Sequence, residues 1–429
     1  MQRPSKQMRK ILLSITLLVV AGSVGAASGS YGYPHQDPYV ATVVGTPAEF
    51  RADLPKNIPL KKARLTVFEG RETPDSLWYE EGLRYSYALQ KDTAPLVFLI
   101  AGAGGSHNGN KTQIMARALF QAGFHVVGLS SPTFANFIVS ASETGVPGHA
   151  YRDAADLYRV MSLIRDELQS RIQVTRYSVA GYSLGAFNAA FISLLDEQKK
   201  VFDFDKVLMI NPPVNLYSSI SLLDRMLENI PGGVDNFNAY YRSLVERLTQ
   251  VYKREDRLDL SEDGLYKAYQ ELDFKDEELA ALIGVSFRLT AANLALASDI
   301  MNDAGYIKPK NVRLSKYSSM HPYDKVAMRV GFTDYFHAYF YPYYKAKDSS
   351  LTREALIEET SLANIEQYLR RATKIEVMHN EDDLILEPGE IDFFRRVFGE
   401  RAKIYPYGGH CGNMDYRDNV SHMLSVLEQ

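Results

Sequence analysis

The pattern of apolar and polar positions predicts short strands that alternate with helices in the first half of the chain. Between residues 61 and 215, helical spacing occurs in KTQIMARALFQAG, YRDAADLYRVMSLIRDELQSR and LGAFNAAFISLLDEQ. Short apolar runs flank these segments and predict strands: KKARLTVFEG, GLRYSYALQ, APLVFLIAGAGG, FHVVGLSS, YSVAGYS and DKVLMINPP. Strands that alternate with helices predict a mostly parallel sheet with helices on both faces.

The alternation stops at about residue 216 and resumes at about residue 369. Residues 216–368 are predicted to be almost wholly helical, as in SISLLDRMLENI, NAYYRSLVERLTQVYKR, DEELAALIGVSFRLTAANLALASDIM and SLANIEQYLRRA. The strands KIEVMHN and AKIYPY then return, with the helices PGEIDFFRRVFG and YRDNVSHMLSVLEQ. We therefore predict one α/β core in two parts, residues 61–215 and 369–429, with an all-helical cap inserted between them.

The first 60 residues follow neither pattern. MQRPSKQMRK is basic, ILLSITLLVVAGSVG is apolar and AAS is small, which is the layout of a secretory signal peptide over residues 1–27. Cleavage is predicted after Ala26, with Ala27 as a close alternative. An uncleaved anchor in the inner membrane is the competing interpretation, because the apolar run approaches the length that spans a bilayer. Residues 28–60 are predicted to form an extended, proline-containing lead-in.

Composition narrows the class of protein and its location. With 46% hydrophobic and 23% charged residues, the chain resembles an ordinary globular protein. Its net charge is −4 and it has no basic stripe, which argues against a nucleic-acid partner. Cys411 is the only cysteine, so there is no disulfide framework, and a periplasmic or secreted bacterial protein is the favoured interpretation. Cys411 itself is predicted to be a small buried apolar residue.

Ser183 lies between two glycines in the stretch SVAGYSLGAF. A predicted strand leads into it and a predicted helix leads out, which is the setting of a nucleophilic serine on a tight turn. Gly181 and Gly185 would let neighbouring backbone approach closely, and the helix N-terminus would favour a developing negative charge. The alternative is a serine that only caps an ordinary helix.

A nucleophilic serine needs a base to accept its proton, and one histidine has a suitable position. His410 lies in YPYGGHCGNM, after the last predicted strand and before the terminal helix. A carboxylate should orient that imidazole, and VMHNEDDLILEP supplies two of them at a strand end. We predict Asp383 as this acid because it directly precedes the apolar residues LIL, with which the loop returns toward the core. Asp382 is the reserve candidate.

The chain order serine, aspartate, histidine resembles that of the α/β-hydrolase superfamily. GYSLG is similar to its nucleophile elbow, HNEDDLIL to its acid loop and GGHCG to its histidine loop, and the resemblance covers residues 61–215 and 370–429. It implies an α/β-hydrolase core that carries an inserted helical cap. From IAGAGGS it also implies that the amides of Ala103 and Leu184 form the oxyanion hole, although Ala101 stands where the family's loop usually has a histidine.

The resemblance implies a serine hydrolase that needs no cofactor and no metal, with an ester as the default substrate. The expected partner is a small-molecule or lipid-like ester, and the N-terminal segment would bring the protein near a membrane if it stayed attached. A peptidase or amidase with the same triad is the main alternative. A non-catalytic binding protein on the same fold is the other, and the sequence leaves the oligomeric state open.

Two further stretches have competing interpretations. GGSHNGNKT differs from a phosphate-binding P-loop because Asn110 separates Gly109 from Lys111, so we do not expect nucleotide binding. DYFHAYFYPYYK, residues 334–345, would either line an apolar substrate pocket or pack the cap onto the core, and packing is the favoured interpretation.

Overall fold

An eight-stranded sheet lies at the centre of the protein. The computed structural model describes residues 31–254 and 274–429, and residues 33 onward form one compact unit. The predicted signal peptide, residues 1–27, lies outside the described residues, as does part of the predicted cap, residues 255–273. In chain order the strands are β1 (Lys61–Leu65), β2 (Leu83–Ala88), β3 (Ala94–Ile100), β4 (His125–Leu129), β5 (Val174–Tyr182), β6 (Lys206–Ile210), β7 (Ile375–Asn380) and β8 (Ala402–Tyr405).

The strand order is β1-β2-β4-β3-β5-β6-β7-β8. The pairs from β4–β3 through β7–β8 are parallel, whereas β1–β2 and β2–β4 are antiparallel. The chain passes from β1 to β2 through a short 3₁₀ helix, Asp75–Glu80, and antiparallel neighbours need no crossover helix. This mostly parallel sheet, with helices packed on it, confirms the predicted α/β-hydrolase fold class.

Helices lie before, between and after the strands of the core. In chain order they are α1 (Pro38–Val44), α2 (Asn110–Gln121), α3 (Ala135–Ser140), α4 (Ala150–Leu168), α5 (Leu184–Lys199), and then, beyond the cap, α14 (Ile391–Phe398) and α15 (Arg417–Glu428). The short helix α3 was not predicted, because its six residues are too few to show a helical period.

Alternate residues of β3 show that helices cover both faces of the sheet. Leu96, Phe98 and Ile100 belong to the main apolar core, together with side chains of α4 and α5. The intervening residues Val97 and Leu99 point to the opposite face and are equally buried. The helices α2 and α15 pack against strands and against each other. The site-bearing ends of the strands are therefore held by a core on each side.

Between β6 and β7 the described residues contain helices and irregular loops, such as residues 303–320. The helices are α6 (Leu216–Arg225), α7 (Phe237–Arg254), α8 (Asp276–Asn302), α9 (His321–Ala327), α10 (Phe332–Tyr335), α11 (Tyr341–Lys347), α12 (Arg353–Glu359) and α13 (Glu366–Arg371), with a π-helix, Phe336–Phe340, joining α10 to α11. Short 3₁₀ turns accompany them at Met226–Asn229, Val234–Asn236 and Leu362–Ile365.

The long helix α8 runs through the inside of this helical region. Among the described helices it alone is long and apolar enough to cross a membrane by length and composition, yet 67% of its most apolar window is buried inside the protein. Leu294 and Ala295 pack there against aromatic side chains of α10 and the π-helix, including Phe332 and Phe336. Packing within the cap therefore accounts for its apolar composition.

The N-terminal lead-in differs from its prediction. Instead of a wholly extended segment, it contains α1 and a 3₁₀ turn, Ala48–Phe50. Asp37 caps α1 by accepting the amide of Val40 at 2.8 Å, and Pro38 occupies the first turn, where its missing N–H costs nothing. Seven residues with this cap are too short to show a period, and tertiary packing of Val40 and Val44 decides the conformation.

Candidate active site

Ser183 occupies a strained turn between β5 and α5. Its backbone has φ 54° and ψ −126°, a region that residues with a side chain rarely adopt. The amide of Ser183 donates to the carbonyl of Ile210 at 2.8 Å, and its own carbonyl accepts from the amides of Ala186 and Phe187. The hydroxyl makes no capping bond to the helix. The side chain is therefore directed away from the helix that follows it.

The two glycines of the turn are dictated by close backbone contacts. A Cβ atom on Gly185 would lie 2.1 Å from the carbonyl oxygen of Ile100, at the end of β3. A Cβ atom on Gly181 would lie 2.4 Å from the carbonyl carbon of Gly185. Both separations are far below van der Waals contact, so any larger residue would push β3, β5 and α5 apart.

Three predicted residues meet in one hydrogen-bonded series. The hydroxyl oxygen of Ser183 lies 2.9 Å from Nε2 of His410, and Nδ1 of His410 lies 3.0 and 3.1 Å from the two carboxylate oxygens of Asp383. Because the carboxylate only accepts, Nδ1 carries the proton, and in the neutral form of the imidazole Nε2 is then free to accept the proton of Ser183. All three side chains are buried. The arrangement provides a nucleophile, a base and an orienting acid in the geometry that acyl transfer requires.

The carboxylate of Asp383 is fixed by further donors. Asn211 donates from its side-chain amide at 2.7 Å, and the amide of Ile385 donates at 3.1 Å. Burial by itself would raise the pKa of Asp383, but the imidazole of His410, followed by His379 and the hydrogen bond from the amide of Ile385, holds the pKa below its ordinary value. Asp383 therefore remains ionised beside His410.

Asn211 is a site residue that the sequence did not reveal. It directly follows β6 in MINPP and has a left-handed backbone, with φ 48°. That conformation is tolerated best by glycine and asparagine, so an asparagine at a strand end was the available signal. The partner that gives Asn211 its meaning comes from a loop 172 residues later, and no local pattern shows such a pairing.

The reserve candidate Asp382 has a different set of contacts. Its carboxylate accepts the amides of Gly408 at 3.2 Å and Gly409 at 2.9 Å. Burial raises its pKa, while those two hydrogen bonds oppose the shift. Asp382 thus holds the glycine turn that precedes His410, and Asp383 contacts the imidazole.

The surroundings of His410 favour its protonated form. Burial by itself would lower the pKa of His410, but the negative charge of Asp383 and, after it, the neighbouring Cys411 outweigh burial and raise the pKa above the ordinary value. The sulfur of Cys411 lies 3.9 Å from Nε2, and Cys411 is buried with a left-handed backbone of φ 60°. A second imidazole, His379, has Nδ1 at 3.6 Å from Asp383, and burial keeps its pKa low. The cation on His410 is therefore the one that Asp383 stabilises.

The glycine loop after β3 lies directly beside Ser183. A Cβ atom on Gly102 would lie 3.1 Å from Cβ of Ser183. In the same loop the amide of Gly104 donates to the hydroxyl of Thr133 at 2.8 Å, and that of Gly105 donates to the carbonyl of Gly102 at 2.8 Å. Ala101, at the position where the family's loop usually has a histidine, is fully buried.

The two amides predicted to form an oxyanion hole flank the same space. Ala103 and Leu184 both line the cavity at Ser183. Within the part of the chain that the structure describes, neither amide donates a hydrogen bond to a protein acceptor. Two such amides beside a serine can receive the negative charge of a tetrahedral intermediate.

The stretch GGSHNGNKT serves the protein's own structure. The ammonium group of Lys111 donates to the carbonyl of Cys411 at 2.6 Å, and the hydroxyl of Thr112 donates to the carbonyl of Ser106 at 3.3 Å. Lys111 thus ties the start of α2 to the loop of His410.

An apolar cavity opens from Ser183 toward the cap. Its walls come from both sides, with Pro147 and Gly148 from the core and with apolar cap side chains that include Leu216, Ile220, Leu223, Phe287, Leu294 and Phe332. The aromatic stretch DYFHAYFYPYYK takes both predicted roles. Tyr335, Phe336 and Phe340 line the cavity, whereas Tyr339 and Tyr344 pack behind them. The hydroxyl of Tyr335 donates to the carbonyl of Pro147 at 3.0 Å, which ties the aromatic stretch to the core.

Comparison with known proteins finds likeness in structure alone. No family model matches the chain, and no curated protein sequence matches it. Similar solved structures include the esterase of Pyrobaculum calidifontis, with 14% identity over 100% of this chain and 99% of that chain and a TM-score of 0.40. They also include a proline iminopeptidase of Mycobacterium smegmatis, with 13% identity, coverage of 81% and 95% and a TM-score of 0.40.

A third is a thioesterase domain from the curacin biosynthetic pathway, with 11% identity, coverage of 86% and 99% and a TM-score of 0.39. All three have the α/β-hydrolase fold. The fold of this chain is established by its own strand order and by the turn at Ser183.

Proposed function

We propose that this protein is an extracytoplasmic serine hydrolase that cleaves a carboxylic ester with an apolar acyl group. The observation that carries the proposal is the unbroken series from Asp383 through His410 to Ser183, whose hydroxyl faces an apolar cavity. An ordinary helix-capping serine would spend its hydroxyl on the helix amides, and Ser183 does not.

The proposed reaction begins with attack by the hydroxyl oxygen of Ser183 on the ester carbonyl carbon. His410 takes the hydroxyl proton at Nε2, and Asp383 stabilises the resulting cation. The carbonyl oxygen becomes an oxyanion that accepts the amides of Ala103 and Leu184. Collapse breaks the ester C–O bond, and the proton on His410 passes to the departing alcohol. Water then attacks the acyl-enzyme by the same route and releases the acid.

The substrate class follows from the walls of the cavity. No residue lining it in the described part of the chain carries a charge, and most of the lining is aliphatic or aromatic. A charged acyl group would lose its hydration there without a compensating partner, whereas an apolar one gains from leaving water. We therefore propose an uncharged, apolar acyl group.

The proposed location rests on the N-terminal sequence. The basic, apolar and small-residue parts of residues 1–27 support export to the periplasm or the medium. An uncleaved N-terminal segment would instead hold the enzyme at the inner membrane. N-terminal sequencing of the exported protein distinguishes the two, because cleavage after Ala26 gives a new N-terminus at Ala27.

A turnover panel tests the activity. Aryl esters of increasing acyl length, one charged acyl ester and the matching anilides are offered to the wild type, to Ser183→Ala and to a control, Ser319→Ala, at an exposed serine. We expect ester turnover in the wild type and the control, and a loss of about 10⁴-fold or more in Ser183→Ala. Anilide cleavage that exceeds ester cleavage would favour an amidase. A wild type that turns over none of the esters would contradict the proposal, and so would a Ser183→Ala variant that keeps wild-type turnover.

A further inference from the structure

The N-terminal helix α1 lies directly against the loop that carries His410. The hydroxyl of Thr42 accepts the backbone amide of His410 at 2.8 Å and donates to the carbonyl of Pro38 at 2.6 Å. Since both hydrogen-bonding functions of this hydroxyl are used, it is fixed in orientation. A residue far from the core in sequence thus supplies the acceptor for the main chain of the base.

The contact between α1 and the loop of His410 is so close that only glycine fits at two positions of the loop. A Cβ atom on Gly409 would lie 2.3 Å from the carbonyl oxygen of Pro38, and one on Gly412 would lie 2.1 Å from that of Ala41. The glycines on both sides of His410 therefore let the loop rest on the backbone of α1. This gives the GGHCG pattern a reason that the resemblance to a histidine loop did not supply.

Two more hydroxyl groups of the same segment hold the far end of the loop. The hydroxyl of Tyr33 shares its hydrogen between the carbonyl oxygens of Gly45 at 2.9 Å and Gly412 at 3.1 Å, and the hydroxyl of Thr46 donates to the carbonyl of Gly412 at 3.2 Å. Both side chains are buried. The loop is thus clamped before and after its turn by one short segment, residues 33–46.

The other side of α1 faces the cap. Val40 and Val44 form a buried cluster with Leu279 of the long helix α8. Farther along α8, Phe287 lines the cavity, and Thr290 lies within 3 Å of where a Cβ on Gly104 would be. The segment therefore spans from the histidine loop to the helix that walls the substrate cavity.

We propose that residues 33–46 form a brace that sets the position of His410, and that Thr42 is its positioning residue. The inference rests on the proposed function, since it concerns the base of that reaction. Thr42 touches no substrate; it acts through the main chain of His410. Without the hydroxyl, the buried amide of His410 loses its acceptor, and the loop relaxes away from the position in which Nε2 meets Ser183.

The test compares Thr42→Val, which keeps the side-chain shape, with Thr42→Ser, which keeps the hydroxyl. Both are assayed as the full chain with an aryl ester, and kcat is referred to the folded fraction at the assay temperature. We expect Thr42→Val to lower kcat about ten- to a hundredfold with KM within about twofold of wild type, because misplacing a catalytic group acts on the chemical step. Thr42→Ser should restore most of kcat.

Thr93→Val is the matched control, because Thr93 is exposed and bonds Gln173 at the opposite end of β3 from the site. Wild-type kcat in Thr42→Val, or a loss fully explained by unfolded protein, would overturn the inference. Should Thr42→Val fail to fold, Tyr33→Phe is judged by the same criteria. A wild type without ester turnover would instead refute the proposed function, so the two failures are distinguishable.

Discussion

At the scale of single residues, two adjacent carboxylates have separate tasks. Asp383 contacts the imidazole of His410, while Asp382 accepts the amides of Gly408 and Gly409. The residues of the loop favoured Asp383, but no local sequence pattern distinguishes two neighbouring acids at a strand end. Their different contacts arise because the histidine loop, 25 or more residues later in the chain, packs against both of them.

Exchanging each acid for its amide measures this division. Asp383→Asn should lower kcat by about 10³–10⁴-fold, because the amide no longer holds the productive tautomer and cannot stabilise the cation. Asp382→Asn keeps one acceptor oxygen for the glycine amides and should lose about tenfold. Steady-state kinetics on the same aryl ester checks both. The opposite ranking would assign the orienting role to Asp382.

The charge on Asp383 also sets the pH dependence. Only neutral His410 can accept the proton of Ser183, so kcat/KM should rise with pH through the pKa of His410. Asp383 raises that pKa, so the acid limb of the wild type should lie above the ordinary imidazole value of about 6.5. In Asp383→Asn the residual activity should have its acid limb at lower pH, because the neighbouring negative charge is gone. If the acid limb lies at the same pH in the wild type and in Asp383→Asn, a group other than His410 must control it.

At the scale of elements, the turn at Ser183 brings β3, β5 and α5 into close backbone contact. The two glycines can be recognised from the sequence by their spacing around Ser183, although the contact that requires Gly185 comes from Ile100 on β3. The same holds for β3 to β8, whose alternation with helices predicted the parallel part of the sheet. In both cases the residues leave a recognisable pattern in the sequence, even where the contacting partner lies on another strand.

Other elements depend on partners that are distant in sequence. Both β1 and β2 were predicted as strands, but their antiparallel pairing was not. The helix α1 was not predicted, and its residues Val40 and Val44 pack against Leu279 of the cap. Asn211 and Thr42 acquire their roles only when separate loops meet. These are tertiary contacts, and a single sequence carries no periodic trace of them.

Replacing the second glycine of the turn tests the steric demand. Gly185→Ala would place a Cβ 2.1 Å from the carbonyl oxygen of Ile100, so we expect the free energy of unfolding to fall by about 3 kcal/mol or more. Gly109→Ala is the control, since its Cβ would lie 3.4 Å from its nearest neighbour and its φ is −63°. Denaturant unfolding measures both. Equal stability of the two variants would mean that the turn can open without cost.

At the scale of the whole molecule, core and cap share one cavity. In the proposed reaction the core would supply the reacting groups, on loops after β3, β5, β7 and β8, and the cap supplies most of the apolar wall. The aromatic stretch at residues 334–345 links them. The hydroxyls of Tyr335 and Tyr344 donate to the core carbonyls of Pro147 and Val146, and three of its rings, those of Tyr335, Phe336 and Phe340, line the cavity. Under the proposed function, the chemical step and the substrate selectivity therefore depend on different parts of the chain.

Narrowing the cavity from the cap should change selectivity and leave the chemical step intact. Ile220 lines the cavity from α6, so Ile220→Phe should lower kcat/KM for long acyl chains about tenfold or more while an acetyl ester is nearly unaffected. Val326→Phe, at an exposed position, is the control. The ratio of long-chain to acetyl turnover is the readout. An equal loss on all chain lengths would show that the acyl group does not occupy this cavity.

The central claim is that Ser183 is the nucleophile, and covalent labelling tests it most directly. The protein is treated with a fluorophosphonate, digested with trypsin and mapped by mass spectrometry. Residues 177–199 form the peptide of interest, which also contains Ser178 and Ser193 as internal controls. We predict one phosphonyl group per chain, assigned by fragmentation to Ser183 and absent in Ser183→Ala. Folded wild-type protein that takes no label, or takes it at another residue, would contradict the account.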